Sequence, residues 1–211
     1  LVSQLAGPLA PGQYAQAAPA PGTQPIGVIE TLQGRVTVVR TDGTRATLQA
    51  GDPVFQGDVL ETASDGAVGI VLADDSTFSM AQSGRMVLDE MVYDPSTQSG
   101  SINLSIVQGI FTFVSGQVAK TDPAAMTITT PVATIGIRGT QVGIEIPDGQ
   151  AMRVVLMEEA DGFVGEVVVR NPSGIEVING AHDFTIVSSF NAPPAPVSPM
   201  PVADIVRTFG S

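Results

Sequence analysis

The sequence contains no cysteine and no tryptophan, and aromatic residues fill only 5% of its 211 positions. Without cysteine there is no disulfide framework, no thiolate metal ligand and no cysteine nucleophile, although this assigns no compartment. With so few rings the core has to be built from Val, Ile, Leu, Ala and Met, which favours thin β-branched sheets over an aromatic-lined ligand pocket. Basic residues are also scarce. The 9 of them, against 21 acidic ones, leave a net charge of -12, and no two are adjacent. Neither nucleic acid nor an anionic membrane surface is therefore an expected partner. The longest apolar run, "AVGIVLA" at 67–73, falls far short of the roughly 20 residues that cross a bilayer, so no membrane span is expected. No positively charged segment precedes an apolar one near Leu1, so no signal peptide is legible, and a processed product or a piece of a longer protein is expected.

What is present reads as β-structure. Hydrophobic residues make up 43% and charged ones 14% of the chain, proportions of a packed body. "GRVTVVRTDGTRATL" at 34–48 is a strand, an Asp42-Gly43 turn and a return strand; "GAVGIVLADDSTFSMA" at 66–81 repeats the plan around Asp74-Asp75-Ser76. "INLSIVQGIFTFV" at 102–114 alternates and then turns at Gln108-Gly109 into a second run. "MTITTP" at 126–131 adds a strand, and "GEVVVRNPSGIEVI" at 165–178 a further hairpin. The stretch "GRMVLDEMVY" at 84–93 is short and reads better as a strand than as a helix. Turn signals every 8 to 12 residues predict an all-β fold, a sandwich-like or β-roll or β-helix-like body of stacked hairpins. A weak internal echo supports stacking, since the segments from Gly34 and from Gly165 share alternating valines, an arginine, a turn glycine and a closing aspartate.

Both ends differ in composition. Residues 1–25 carry five of the 16 prolines with Ala, Gln and Gly, and read as a linker or extended arm. "NAPPAPVSPMP" at 191–201 carries five more and reads as a stiff spacer before a short apolar tail. The division expected is an arm at 1–25, a β-domain at 26–190 and a spacer with tail at 191–211.

Chemical motifs are few. Asp52, Asp58, Asp65, Asp74 and Asp75 could offer oxygens to calcium, but the helix-loop-helix spacing is absent and each sits where a β-turn favours aspartate, accepting bonds from its own turn's amides. His182 with Asp183 lacks a nucleophile on a sharp turn, and one histidine cannot supply a histidine-based metal site; it reads as a surface residue on an edge strand. "GIRGTQVG" at 136–143 is superficially like a phosphate loop, yet it lacks the Gly-Lys-Ser/Thr end and is followed by a strand. A carboxylate-pair glycosidase would want an aromatic-lined cleft. No catalytic residue, no metal and no cofactor is expected.

Three stretches carry a resemblance: Gly57-Asp58 before "VLETASDGAVGIVLADDST", "QGIFTF" at 108–113, and "TPVATIGIRGT" at 130–140, with Thr130, Pro131, Gly136, Arg138, Gly139 and Thr140. Over about 28–146, and on towards 187, the chain resembles the FecR domain of periplasmic iron-siderophore regulators and of other exported bacterial proteins. The resemblance implies an all-β domain without catalytic residues. Such regulators carry a sigma-factor-binding segment and one membrane helix before the domain; neither is in this sequence, and the Pro-rich flanks look more like a module of a large surface protein. The expectation is thus a non-catalytic interaction or assembly module, at the cell surface or secreted, binding a protein partner or itself by strand addition through 1–10 or 202–209. The alternative is a periplasmic relay domain that binds an outer-membrane receptor's signalling domain. For Arg138, bracketed by Gly136 and Gly139 as in a turn or bulge, the expected role is a clasp to Asp52 or Asp58.

Overall fold

Alternation of buried and exposed residues converts directly into layers, because successive side chains of a strand point to opposite faces. The computed structural model describes residues 24–122 and 124–210. The chain begins with β1 (Pro25–Gln33), β2 (Val36–Val39), β3 (Arg45–Thr47), β4 (Pro53–Phe55), β5 (Val59–Thr62), β6 (Ala67–Leu72) and β7 (Thr77–Met80). Two long strands, β8 (Arg85–Asp94) and β9 (Ser99–Val114), precede a short helix, α1 (Gln117–Thr121). Then come β10 (Met126–Thr129), β11 (Thr134–Arg138), β12 (Gln141–Ile146), β13 (Met152–Met157), β14 (Glu166–Asn171), β15 (Gly174–Ile178), β16 (Asp183–Val187), β17 (Ser198–Pro199) and α2 (Val202–Phe209). The fold is all-β.

The strands form two layers. The front layer is ordered β4-β1-β6-β7-β9-β12-β13-β16-β17. The back layer is ordered β3-β2-β5-β8-β9-β10-β11-β14-β15. Strand β9 belongs to both. Its first part, 99–108, pairs with β8 and its last, 109–114, with β12, so the chain passes between layers at Gln108-Gly109. The expected turn there is a change of layer within one strand. Gly109 makes it possible: its φ is +121°, and a Cβ would lie 2.7 Å from Gly84 Cα. The other hairpins alternate, β10–β11 and β14–β15 at the back, β12–β13 and β16–β17 at the front. The echo noted in the sequence falls on β2–β3 and β14–β15, which occupy opposite ends of the back layer.

A single apolar core fills the space between the layers. Phe78, Phe111, Phe113, Ile70, Ile144 and Val154 come from the front and Leu60, Met86, Leu104, Ile128, Ile137 and Val167 from the back. A second, smaller cluster lies on the outer side of the front layer, where Ile205 and Phe209 of α2 cover Val155 and Met157, with Met200, Phe184 and Ile110 around them. Burying two such side chains contributes about 1.5–3 kcal/mol each.

This cluster corrects two expectations. Residues 191–201 are not a free spacer: Ala195 N donates to Ile186 O at 2.9 Å, Thr185 Oγ1 to Ala195 O at 2.6 Å and Asn171 Nδ2 to Ala192 O at 2.6 Å. Proline's fixed φ suits this edge-following path as well as it suits a spacer. Residues 202–209 form a docked helix, so they do not supply a strand for addition to a neighbour. The arm 1–25, save its last two residues, and the strand-addition segment 1–10 lie outside the described residues.

Candidate functional site

The stretch "TPVATIGIRGT" is a hairpin followed by a corner. Thr130 closes the turn between β10 and β11: its Oγ1 donates to Ala133 O at 2.8 Å and accepts from Ala133 N at 3.0 Å, with Pro131 held inside that turn. After β11 the chain leaves the back layer, and Gly139, at φ +45°, makes the bend into β12 at the front. Buried Thr140 pins the corner: Thr140 N donates to Ser115 Oγ at 2.8 Å, Ser115 Oγ to Thr140 O at 3.0 Å, and Thr140 Oγ1 to Met157 O at 3.0 Å. Gly165 packs directly behind it, where a Cβ would overlap the carbonyl oxygens of Arg138 and Gly139.

Arg138 does not clasp Asp52 or Asp58. Its side chain is 59% exposed and reaches Glu166 Oε1 across the β11–β14 ladder at 3.8 Å. The guanidinium that meets Asp58 is that of Arg40, which also donates to Pro53 O at 3.2 Å and lies 4.9 Å from the Phe55 ring centre. Asp58, 1% exposed, accepts from Phe55 N at 2.8 Å in the turn that Gly57 shares. Burial pushes the Asp58 carboxyl above the ordinary aspartate value, against the Phe55 amide and Arg40, which favour the charged form. The difference from the expectation is one of face and distance along the sheet: Arg138 lies on an exposed, outward position of β11, whereas Asp58 is buried just before β5, with β8, β9 and β10 between the two strands.

The acidic residues act within separate turns. Asp52 Oδ2 accepts from Gln49 N at 2.8 Å. Asp74 accepts from Ser76 N at 3.1 Å and Ser76 Oγ at 2.8 Å, and reaches Val118 N at 3.2 Å, so the β6–β7 turn caps α1 from 44 residues away. That cap was not legible, since nothing in "ADDST" points to a helix so distant. Asp65 sits in the turn before β6, and Asp75 shares the β6–β7 turn with Asp74. Among the described residues no group of three or more His, Asp or Glu is placed to hold a metal. His182 is half-buried in the turn before β16, at φ +66°, with its amide bonded to Leu156 O at 2.8 Å; it is a turn residue and not an edge-strand one.

What the stretch builds outward is a trough. The outer positions of β11 are Thr134, Gly136 and Arg138, flanked by Thr127 on β10 and by Glu166, Val168 and Arg170 on β14. Together they line an open hollow of about 350 Å³ on the back layer. Its floor is Gly136, whose Cβ position has none of the described residues within 4 Å. Gly136 is thus no turn or bulge residue; it sits mid-strand, paired with Thr127 and Val168. On β15 the rim continues with exposed Ile175 and Val177.

Comparison with known proteins places this geometry. Residues 58–160 match the family described as FecR protein. The match starts at Asp58 and stops before β14, so the wall of the trough formed by Glu166, Val168 and Arg170 lies beyond it. Two solved structures of a candidate anti-sigma factor from Parabacteroides distasonis ATCC 8503 share the fold, at 11% identity with TM-scores of 0.51 and 0.52. Each alignment covers 70% of this chain, and this chain spans 62% of the length of that one. No curated protein matches the chain.

Proposed function

We propose that this chain is a non-catalytic relay module of the FecR type, acting outside the cytoplasm by binding the signalling domain of an outer-membrane receptor. The observation that supports this reading best is the FecR match over 58–160, on a fold shared with an anti-sigma-factor structure. The surface agrees with a protein partner. The trough is a patch of Thr, Val, Gly and paired charges on a sheet face, and such mixed, open surfaces suit another protein better than a small molecule. The assembly reading is weaker, because one of its two proposed strands, 202–209, is the docked α2. The test is calorimetric titration of the chain with purified signalling domains of the outer-membrane receptors of the encoding bacterium. A saturable 1:1 complex with one of them is expected; failure of all to bind, with the chain folded, would reject the relay.

A further inference from the structure

The outer faces of the two layers carry the same arrangement of residues, and among the described residues only one of them is occupied. On the front layer Gly143 of β12 stands between Thr112 of β9 and Val155 of β13. On the back layer Gly136 of β11 stands between Thr127 of β10 and Val168 of β14. Two residues further along each central strand lies a cross-strand ion pair, with its polarity reversed. At the front Glu145 on β12 meets Arg153 on β13 at 2.8 Å, and at the back Arg138 on β11 meets Glu166 on β14 at 3.8 Å. The next strand supplies an apolar neighbour in both, Phe184 opposite Val155 and Val177 opposite Val168. At the front the Phe209 ring of α2 lies where a Cβ on Gly143 would be only 2.9 Å away. At the back none of the described residues lies within 4 Å of a Cβ placed on Gly136. Glycine in a strand interior weakens the strand unless another group approaches its backbone. The front layer shows what that group is.

We infer that the trough over Gly136 is the seat for a short amphipathic helix of a protein partner that places an aromatic ring on the glycine. The inference rests on the reading of the chain as a protein-binding module and specifies the surface that module uses. The back trio differs from the front in one way that defines the partner's charge. Where the front has Met157, opposite Gln141 and covered by α2, the back has Arg170, opposite Thr134 and with no ion-pair partner among the described residues. Arg170 lies two strand residues from the Gly136 row, about 6.8 Å, close to the roughly 5.4 Å of one helical turn. The partner helix therefore carries a carboxylate one turn from its aromatic residue, which Arg170 receives at the trough's edge.

The α2 segment is the natural probe. A fluorescein-labelled peptide of residues 198–210 carrying Val206→Glu keeps Ile205 and Phe209 on one face and adds the carboxylate one turn from the ring. Fluorescence anisotropy should show saturable binding to the full chain, weakened about tenfold by Gly136→Leu and less by Arg170→Ala. Val168→Lys, which loads the trough wall with charge, should weaken binding as Gly136→Leu does and serves if that variant folds poorly. Absence of saturable binding to the unmodified chain, or equal affinity for the Gly136→Leu and Val168→Lys variants, overturns the seat; equal affinity would mean that the peptide exchanges with α2 at the front. Receptor domains titrated against the same variants give a separate readout, so the seat can fail while receptor binding stands, and the reverse.

Discussion

The front and back layers are nearly mirror versions of one design, yet one outer face is closed and the other open. Both have nine strand positions with β9 at the centre, both hang two C-terminal hairpins of two strands each beyond it, and both carry a Thr-Gly-Val row with an ion pair beside it. The difference comes from eight residues, 202–209, which fold as a helix onto the front alone. Two glycines from a single stretch, Gly136 and Gly143, thereby acquire opposite energetics. Gly143 accommodates a ring, and Gly136 gives up strand stability for nothing that the described residues supply.

Substitutions on the two faces should separate them. The largest effect belongs to Phe209→Ala, which removes the ring that closes the front cluster and should cost about 3 kcal/mol in urea unfolding, with ANS binding revealing the uncovered Val155 and Met157. A loss under about 1 kcal/mol would mean that α2 is only loosely seated. Gly143→Ala forces the ring and Val155 aside and should cost about 1–2 kcal/mol, and combining it with Phe209→Ala should cost less than the sum because both act on one contact.

The ion pairs test the same contrast on a finer scale. Arg153→Ala should lower stability by about 1 kcal/mol, since the pair with Glu145 is short and half-buried. Arg138→Ala should change it by no more than about 0.3 kcal/mol, because that pair is long and exposed. Thermal unfolding of both variants decides this, and an equal loss for the two would erase the distinction between a structural and a free face. The smallest effect has the opposite sign: Gly136→Ala meets no neighbour and should raise stability by about 0.5 kcal/mol through strand preference and unfolded-state entropy. Any destabilisation by Gly136→Ala would show that the trough is already filled in solution.

Much of the fold was legible because β-structure announces itself locally. Asp42-Gly43 and Asp74-Asp75-Ser76 marked two hairpins, and alternation across "GEVVVRNPSGIEVI" marked a third. The misreadings share a physical cause. Gln108-Gly109 has the composition of a reversal, but what changes there is the strand's hydrogen-bonding partner and not its direction. The tail's five prolines outweighed an amphipathic pattern, Ile205 and Phe209 against Asp204 and Arg207, that only eight residues display. Arg138 was assigned to the wrong acid because adjacency in sequence says nothing about which strand lies opposite; β14 brings Glu166 beside it.

By itself the sequence determined the class: an all-β chain of Val- and Ile-rich hairpins, poor in rings, with a recognisable FecR stretch, because strand periodicity and turn preference are properties of neighbouring residues. The tertiary structure alone decided which hairpin went to which layer, that Arg40 and not Arg138 holds Asp58, and that α2 covers Gly143 but not Gly136. Those choices depend on register and packing between segments dozens of residues apart, and no local pattern encodes them.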